Sequence, residues 1–406
     1  MGILTFTFDM PQTKPVSFDK LSLKESGDSG ESKKKLQQAT KLREKVYNAL
    51  SKHRSYSDTV QLLEDYLPYL NGIVHALERP QNESDVTTIA FQWTSGLLED
   101  SASKTILAKS KKAVFTRKNI KFELFMILWT YGYSLCNLAA DLVRTATQST
   151  FYMQTKEASI LFRKASGIFQ YLETELSKAS LYLDEKKLPE VLPQSASTLQ
   201  NYCLALSQII AIHHAIESGK SLRTIAKLCV QVYRQFDSAK NFIDETVNHI
   251  RNETPTSAKY NPSGLSSSSS NYSLNSSTTP ISSSSSQTNI NEGVRIIIVQ
   301  YRILYRGITL YYLALDANKD EQAGLSVGYI TTANLQLKEL DIFKDVKNNP
   351  FIPEVRRIYT ESKKLEGKYE KENRMVFRED VPLAENLEIP KGLSLFKASE
   401  FVNDTA

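Results

Sequence analysis

Leu161 to Leu176 reads LFRKASGIFQYLETEL. Leu161, Phe162, Ala165, Ile168, Phe169, Leu172 and Leu176 recur every three or four residues, which sets them on one stripe of a helix. Arg163, Lys164, Gln170, Glu173 and Glu175 fill the wet face. Nothing in the stretch is arranged for proton transfer or metal binding. It predicts a helix whose work is packing, and the same pattern governs most of the chain.

Outward from this stretch, the periodicity predicts helices over about 34–52, 58–77, 121–147, 155–179, 195–218, 221–251, 294–318, 321–343 and 353–375. VTTIAFQW, 86–93, is β-branched and aromatic and predicts a strand, with AVFT, 113–116, as its partner. Thr5 to Phe8 alternates like a short strand, and 17–33 is polar and expected to be loop. Long helices joined by short connections predict a mostly α protein. Its core would be a solenoid of stacked helical hairpins like that of tetratricopeptide proteins, irregular because no internal repeat appears. A small β hairpin near the N-terminal part completes it.

The chain has 406 residues and a formal charge of +5. That length suits one large core, and the mild, dispersed basic excess lacks the dense stripe of a nucleic-acid binder. Cys136, Cys203 and Cys229 lie in apolar helical stretches, which indicates buried thiols and a reducing, cytoplasmic setting. The start, MGILTFTFDMPQTKP, lacks a basic region and is not read as a signal peptide. LFMILWTYGYSLCNLAA, 124–140, has about the length of a membrane span, yet Thr130, Ser134 and Asn137 favour a helix enclosed by other helices.

One tract breaks the pattern. Residues 253–293, densest over 261–291, contain SSSSS twice and NYSLNSSTTP. This composition cannot bury enough apolar surface to offset its ordering entropy, so a disordered insertion within a single domain, 1–406, is expected. The tail, 376–406, carries Pro382, Pro390 and Gly392 and is expected to be an extended strap.

Catalytic motifs are lacking. Gly219-Lys220-Ser221 has His214 where a phosphate-binding loop needs glycine, and the tripeptide joins two helices. His213 and His214 point about 100° apart on a helix and cannot share a metal. No GxSxG, HExxH or paired CxxC occurs. The expectation is a protein that is not an enzyme and needs no cofactor or metal. The most charged local feature runs from Lys104 to Lys121, where seven Lys and Arg occur without an acid. Lys111, Lys112, Arg117 and Lys118 are candidates for contact with an anionic membrane, against the alternative of a solvated hairpin edge.

Several landmarks together resemble the BRO domain family. PQTKPVSFDKL from Pro11 resembles its entry segment, and FQWTSGL at Phe91 resembles its Phe-x-Trp strand. FELFMILWTYGYSLCNLA at Phe122 and KASGIFQYLETEL at Lys164 resemble two of its helices. KENRMVFREDVP at Lys371 resembles its Asn-x-x-Ile-Tyr-x-x-x-Val-Pro exit. The resemblance implies an elongated, curved domain that acts as an adaptor in endosomal sorting and membrane remodelling. It also implies recruitment to endosomal membranes and, as partner, the C-terminal amphipathic helix of the filament-forming ESCRT-III subunit.

Carried over without gaps, the family's three apolar contact positions fall on Ala211, Thr224 and Leu228. Ala211 and Thr224 are smaller or more polar than the family expects. On the helix over 221–251, Leu222, Ile225, Cys229, Val232 and Phe236 form the core stripe. Leu228 lies about 100° from its centre, among Thr224, Gln231 and Gln235, and is expected to be exposed. The alternatives are an adaptor for another helical peptide, or an enzyme without a recognisable motif. The end, NDTA, lacks the prenylated cysteine of some relatives, and Phe6 stands where myristoylation favours Ser or Thr.

Overall fold

A computed structural model describes residues 3, 5–19, 21, 29–78, 89–99, 112–179, 188–252, 290–343 and 351–403. Helices α1 (Ser29–Ser51) and α2 (Tyr56–Leu77) come first. A hairpin of β1 (Phe91–Thr94) and β2 (Val114–Arg117) follows. Then come α3 (Ile120–Thr145), α4 (Phe151–Ala179), α5 (Pro193–Glu217), α6 (Leu222–Asn252), α7 (Glu292–Lys319), α8 (Ala323–Lys338) and α9 (Phe351–Glu372). Each helix packs on the next one in sequence, which is the stacked arrangement the periodicity predicts.

Local chemistry sets several of the boundaries. The Ser55 side chain accepts from the Asp58 N–H and starts α2, and Asn119 accepts from the Lys121 N–H and starts α3. Pro193 opens α5 at the position where a missing N–H costs nothing. Gly219, with φ +66°, turns the chain between α5 and α6, so the Gly-Lys-Ser tripeptide is a helix connection.

Packing is dense where the sequence is most apolar. On α3, Trp129 and Tyr133 lie against Phe169 of α4, with ring centroids 5.2 Å and 6.3 Å apart. A Cβ on Gly132 would come within 2.6 Å of the Phe169 ring, so this glycine permits the close crossing. Between α6 and α7, Phe236 stacks on Tyr301 at 4.8 Å. The 124–140 stretch is the centre of this core, and among the described residues no helix is long and apolar enough to cross a membrane.

Two buried polar nodes tie the hairpin to the helices. Arg43 of α1 pairs with Glu123 of α3, and Trp93 of β1 donates its indole N–H to the same carboxylate at 2.6 Å. Both members of the ion pair are fully buried. Glu190, also buried, accepts from the Ser95 hydroxyl at 2.8 Å and the Gly96 N–H at 2.7 Å. Burial pushes its carboxyl above the ordinary value despite these donors.

The structure departs from expectation in several places. The strands are β1 and β2 as bounded above; residues 79–88, which include the start of the predicted strand, lie outside the described residues. Thr5 to Phe8 forms no strand among the described residues; Thr13 instead bridges Trp93. Helix α1 starts at Ser29, inside the stretch expected to be loop. Most of the Ser/Asn-rich tract lies outside the described residues, but its last residues are packed. Ile290 is buried and bridges Leu98, and the Asn291 side chain caps α7.

Candidate partner-docking face

The C-terminal segment runs over α5 and α6, the helices that carry Ala211, Thr224 and Leu228. After α9 the chain has little regular structure, and it is held to one helix after another. Gly324 at the start of α8 donates its N–H to the Glu379 carboxylate at 2.7 Å. The Tyr329 hydroxyl donates to the Glu388 carbonyl at 2.6 Å, and burial raises the pKa of that hydroxyl. Leu393 then donates its N–H to the Lys227 carbonyl on α6 at 3.0 Å. On α5, Gln208 donates to the Leu393 carbonyl at 2.8 Å and accepts from the Leu395 N–H at 3.2 Å. Further on, Ser399 donates to the Arg163 carbonyl of α4 at 3.1 Å, and Arg163 covers the Phe396 ring at 5.3 Å. The segment thus crosses α8, α6, α5 and α4.

The three carried-over positions sit differently around this strap. Ala211 is half-buried, one turn beyond Gln208 on the same face of α5. Thr224 is half-buried at the start of α6, where its hydroxyl and that of Ser221 lie 2.7 Å apart. Leu228 is only 2 % exposed and belongs to the main core, which corrects the expectation of an exposed side chain. Helix angle alone put Leu228 at the edge of the stripe. Leu228 packs into the main helical core, while the strap runs beside it along Lys227 and Gln231. Gln235, another polar neighbour in the sequence argument, is buried too.

The basic candidates are less free than the sequence implies. Lys111 lies outside the described residues. Lys112 pairs with Asp9 at 2.9 Å, and Arg117, in β2, donates to the Thr116 carbonyl at 3.1 Å. Lys118 is exposed.

Hollows lie between the helices. One, of about 490 Å³, lies between α6, α7, α8 and the strap and is lined by Arg223, Asp316, Asp320, Tyr329 and Glu388. Another, of about 310 Å³, includes Ile216, Tyr311, Arg357 and Glu361. In the second, Tyr311 donates to Glu361 at 3.0 Å. Among the described residues no cluster of three or more His, Cys, Asp or Glu could hold a metal ion.

A family model described as a BRO1-like domain matches residues 20–406. The chain belongs to the BRO1-like domain family. Its fold agrees with solved BRO1 structures. One titled "ALIX BRO1 CHMP4C complex" is 15 % identical with a TM-score of 0.68, covering 98 % of this chain and 96 % of that one. One titled "Structure basis for endosomal targeting by the Bro1 domain" is 15 % identical with a TM-score of 0.66, covering 98 % and 93 %. A chain of ALIX in complex with a late-domain peptide of SIVmac239 is matched over 49 % of its length, with a TM-score of 0.69. No curated protein matches. In this BRO1-like chain, as the order of landmarks predicts, the helical stack and the small sheet account for most of the described residues.

Proposed function

We propose that this BRO1-like chain is a non-catalytic adaptor of endosomal sorting. It docks the C-terminal amphipathic helix of the filament-forming ESCRT-III subunit on its α5–α6 face. Family membership over residues 20–406 carries the reading. A neighbour of the same fold is described as a complex with CHMP4C, and another as an endosomal-targeting domain. The half-buried Ala211 and Thr224 offer a shallow floor beside the strap, and an amphipathic helix engages such a groove through a few apolar anchors. With Leu228 committed to the core, the floor is shallower than the family pattern implies and the affinity correspondingly modest.

Calorimetry with the ESCRT-III C-terminal peptide tests this. Ala211→Glu and Thr224→Arg should each weaken binding while leaving the melting temperature near that of the parent. Binding unchanged in both variants, or absent in the parent, would remove the proposal. Lys111, Lys112, Arg117 and Lys118 belong to the same proposal as a peripheral contact with anionic headgroups. Changing all four to Glu should lower vesicle binding at low salt, and undiminished binding would exclude the hairpin.

A further inference from the structure

Cys136 of α3 and Cys203 of α5 bring their sulfurs within 3.3 Å of each other, although they stand 67 positions apart in the chain. Both are free thiols, and both are buried in the main core. A single buried thiol behaves as a small apolar side chain, and packing explains it. A pair in sulfur contact carries redox chemistry as well, because a sulfenic acid formed on one sulfur lies within reach of the other. A disulfide bond is about 2.05 Å long, so closure asks the two sulfurs to approach by about 1.3 Å in all.

The closed fold keeps the pair quiet. Burial, and then the Cys136 thiol beside it, push the Cys203 thiol well above its ordinary value, so it rests protonated and slow to react. The N-terminal segment is fastened to the same two helices. The Phe8 N–H donates to the Asn137 side chain on α3 at 2.7 Å, and the Asn137 amide donates back to the Phe8 carbonyl at 2.9 Å. The Phe6 N–H donates to the Tyr202 hydroxyl on α5 at 3.0 Å. Asn137 and Tyr202 are the sequence neighbours of Cys136 and Cys203. Burial pushes the Tyr202 hydroxyl up, and both thiols lie near enough to add to that effect. Local opening costs least at chain ends, so lifting this segment is the cheapest way to admit a small oxidant.

We propose that Cys136 and Cys203 are a latent disulfide, gated by the N-terminal segment, which a hydroperoxide closes into a staple between α3 and α5. The Cys136 sulfur attacks the outer peroxide oxygen, and the O–O bond breaks. The alcohol leaves with the Cys136 proton, and a sulfenic acid remains. The Cys203 sulfur then attacks the Cys136 sulfur, the S–O bond breaks, and water leaves with the Cys203 proton. Two thiols are oxidised by two electrons in all, and the hydroperoxide is reduced to alcohol and water. The closed link removes loop-closure entropy from the unfolded chain across the 67 positions that it spans. It is independent of helix docking and of the β1–β2 hairpin.

The test treats the folded, full chain with tert-butyl hydroperoxide, then denatures it and labels the remaining thiols with N-ethylmaleimide. Labels should fall from the three free cysteines to one, on Cys229. The unlabelled protein should lose about 2 Da, the two hydrogens removed in disulfide formation. Proteolysis should yield a Cys136–Cys203 linked peptide pair. The oxidised protein should melt at a higher temperature than the reduced one, and dithiothreitol should reverse both the mass loss and the rise. Cys203→Ala should show no such mass loss. Tyr202→Phe removes only the hydroxyl that accepts from Phe6, and should speed the cross-linking several-fold. Three labels after treatment, a link that involves Cys229, sulfinic acid in place of the link, or a melting temperature that does not rise would overturn the staple. Cross-linking of Tyr202→Phe at the parent's rate would overturn the gate.

Discussion

Leu393 donates its backbone N–H to the backbone carbonyl of Lys227 at 3.0 Å, one residue before Leu228. A segment more than 160 positions later in the chain thus borders the middle of α6.

Leu228 and Ile225 are 2 % and 4 % exposed, so they should behave alike. Leu228→Asp is expected to destabilise the protein by about 3 kcal/mol or more, comparable with Ile225→Asp, because each buries a carboxylate among apolar side chains. Thermal unfolding followed by circular dichroism measures both. A Leu228→Asp variant with the parent's melting temperature would contradict the burial described here.

Gly167 sets how closely the strap approaches α4. A Cβ there would lie 1.8 Å from the Ser399 carbonyl oxygen. Gly167→Ala should cost about 1–3 kcal/mol or lift the strap. Limited trypsin digestion should then cut faster at Lys391 and Lys397. An unchanged digestion rate together with an unchanged melting temperature would show that the contact is slack.

The Arg43–Glu123 pair is fully buried and also holds the Trp93 indole N–H. Glu123→Gln leaves a guanidinium buried without its counter-charge and is expected to cost about 3 kcal/mol or more. Urea unfolding should show a lower midpoint with little change in slope. A midpoint equal to the parent's would mean the pair contributes nothing beyond an uncharged hydrogen bond.

Glu190 provides a pH signature. Burial raises its carboxyl pKa above the ordinary 4.5, so the folded state holds this proton more tightly than the unfolded chain. Its contribution is fully present below that ordinary value and is lost as pH rises towards the folded pKa. The melting temperature of Glu190→Gln relative to the parent should therefore rise with pH across that window. A constant difference, or one that falls, would refute the assignment.

The helices and their order are written locally. Stripes such as the one from Leu161 to Leu176, together with caps at Ser55 and Asn119, depend on neighbours within one or two turns, so the sequence shows them directly. The family follows from the order of these landmarks. Other features were not legible, because they depend on segments that meet only after folding. Nothing near Leu228 in the sequence reveals that Gly392 and Leu393 will lie beside it. Nothing near Lys112 predicts its pairing with Asp9. By itself the sequence determined that the chain is mostly helical and in what order its helices run, because helix periodicity is a local property of the chain. Only the tertiary structure decided which stripe edges stay open, because burial is settled by whatever distant segment packs across them.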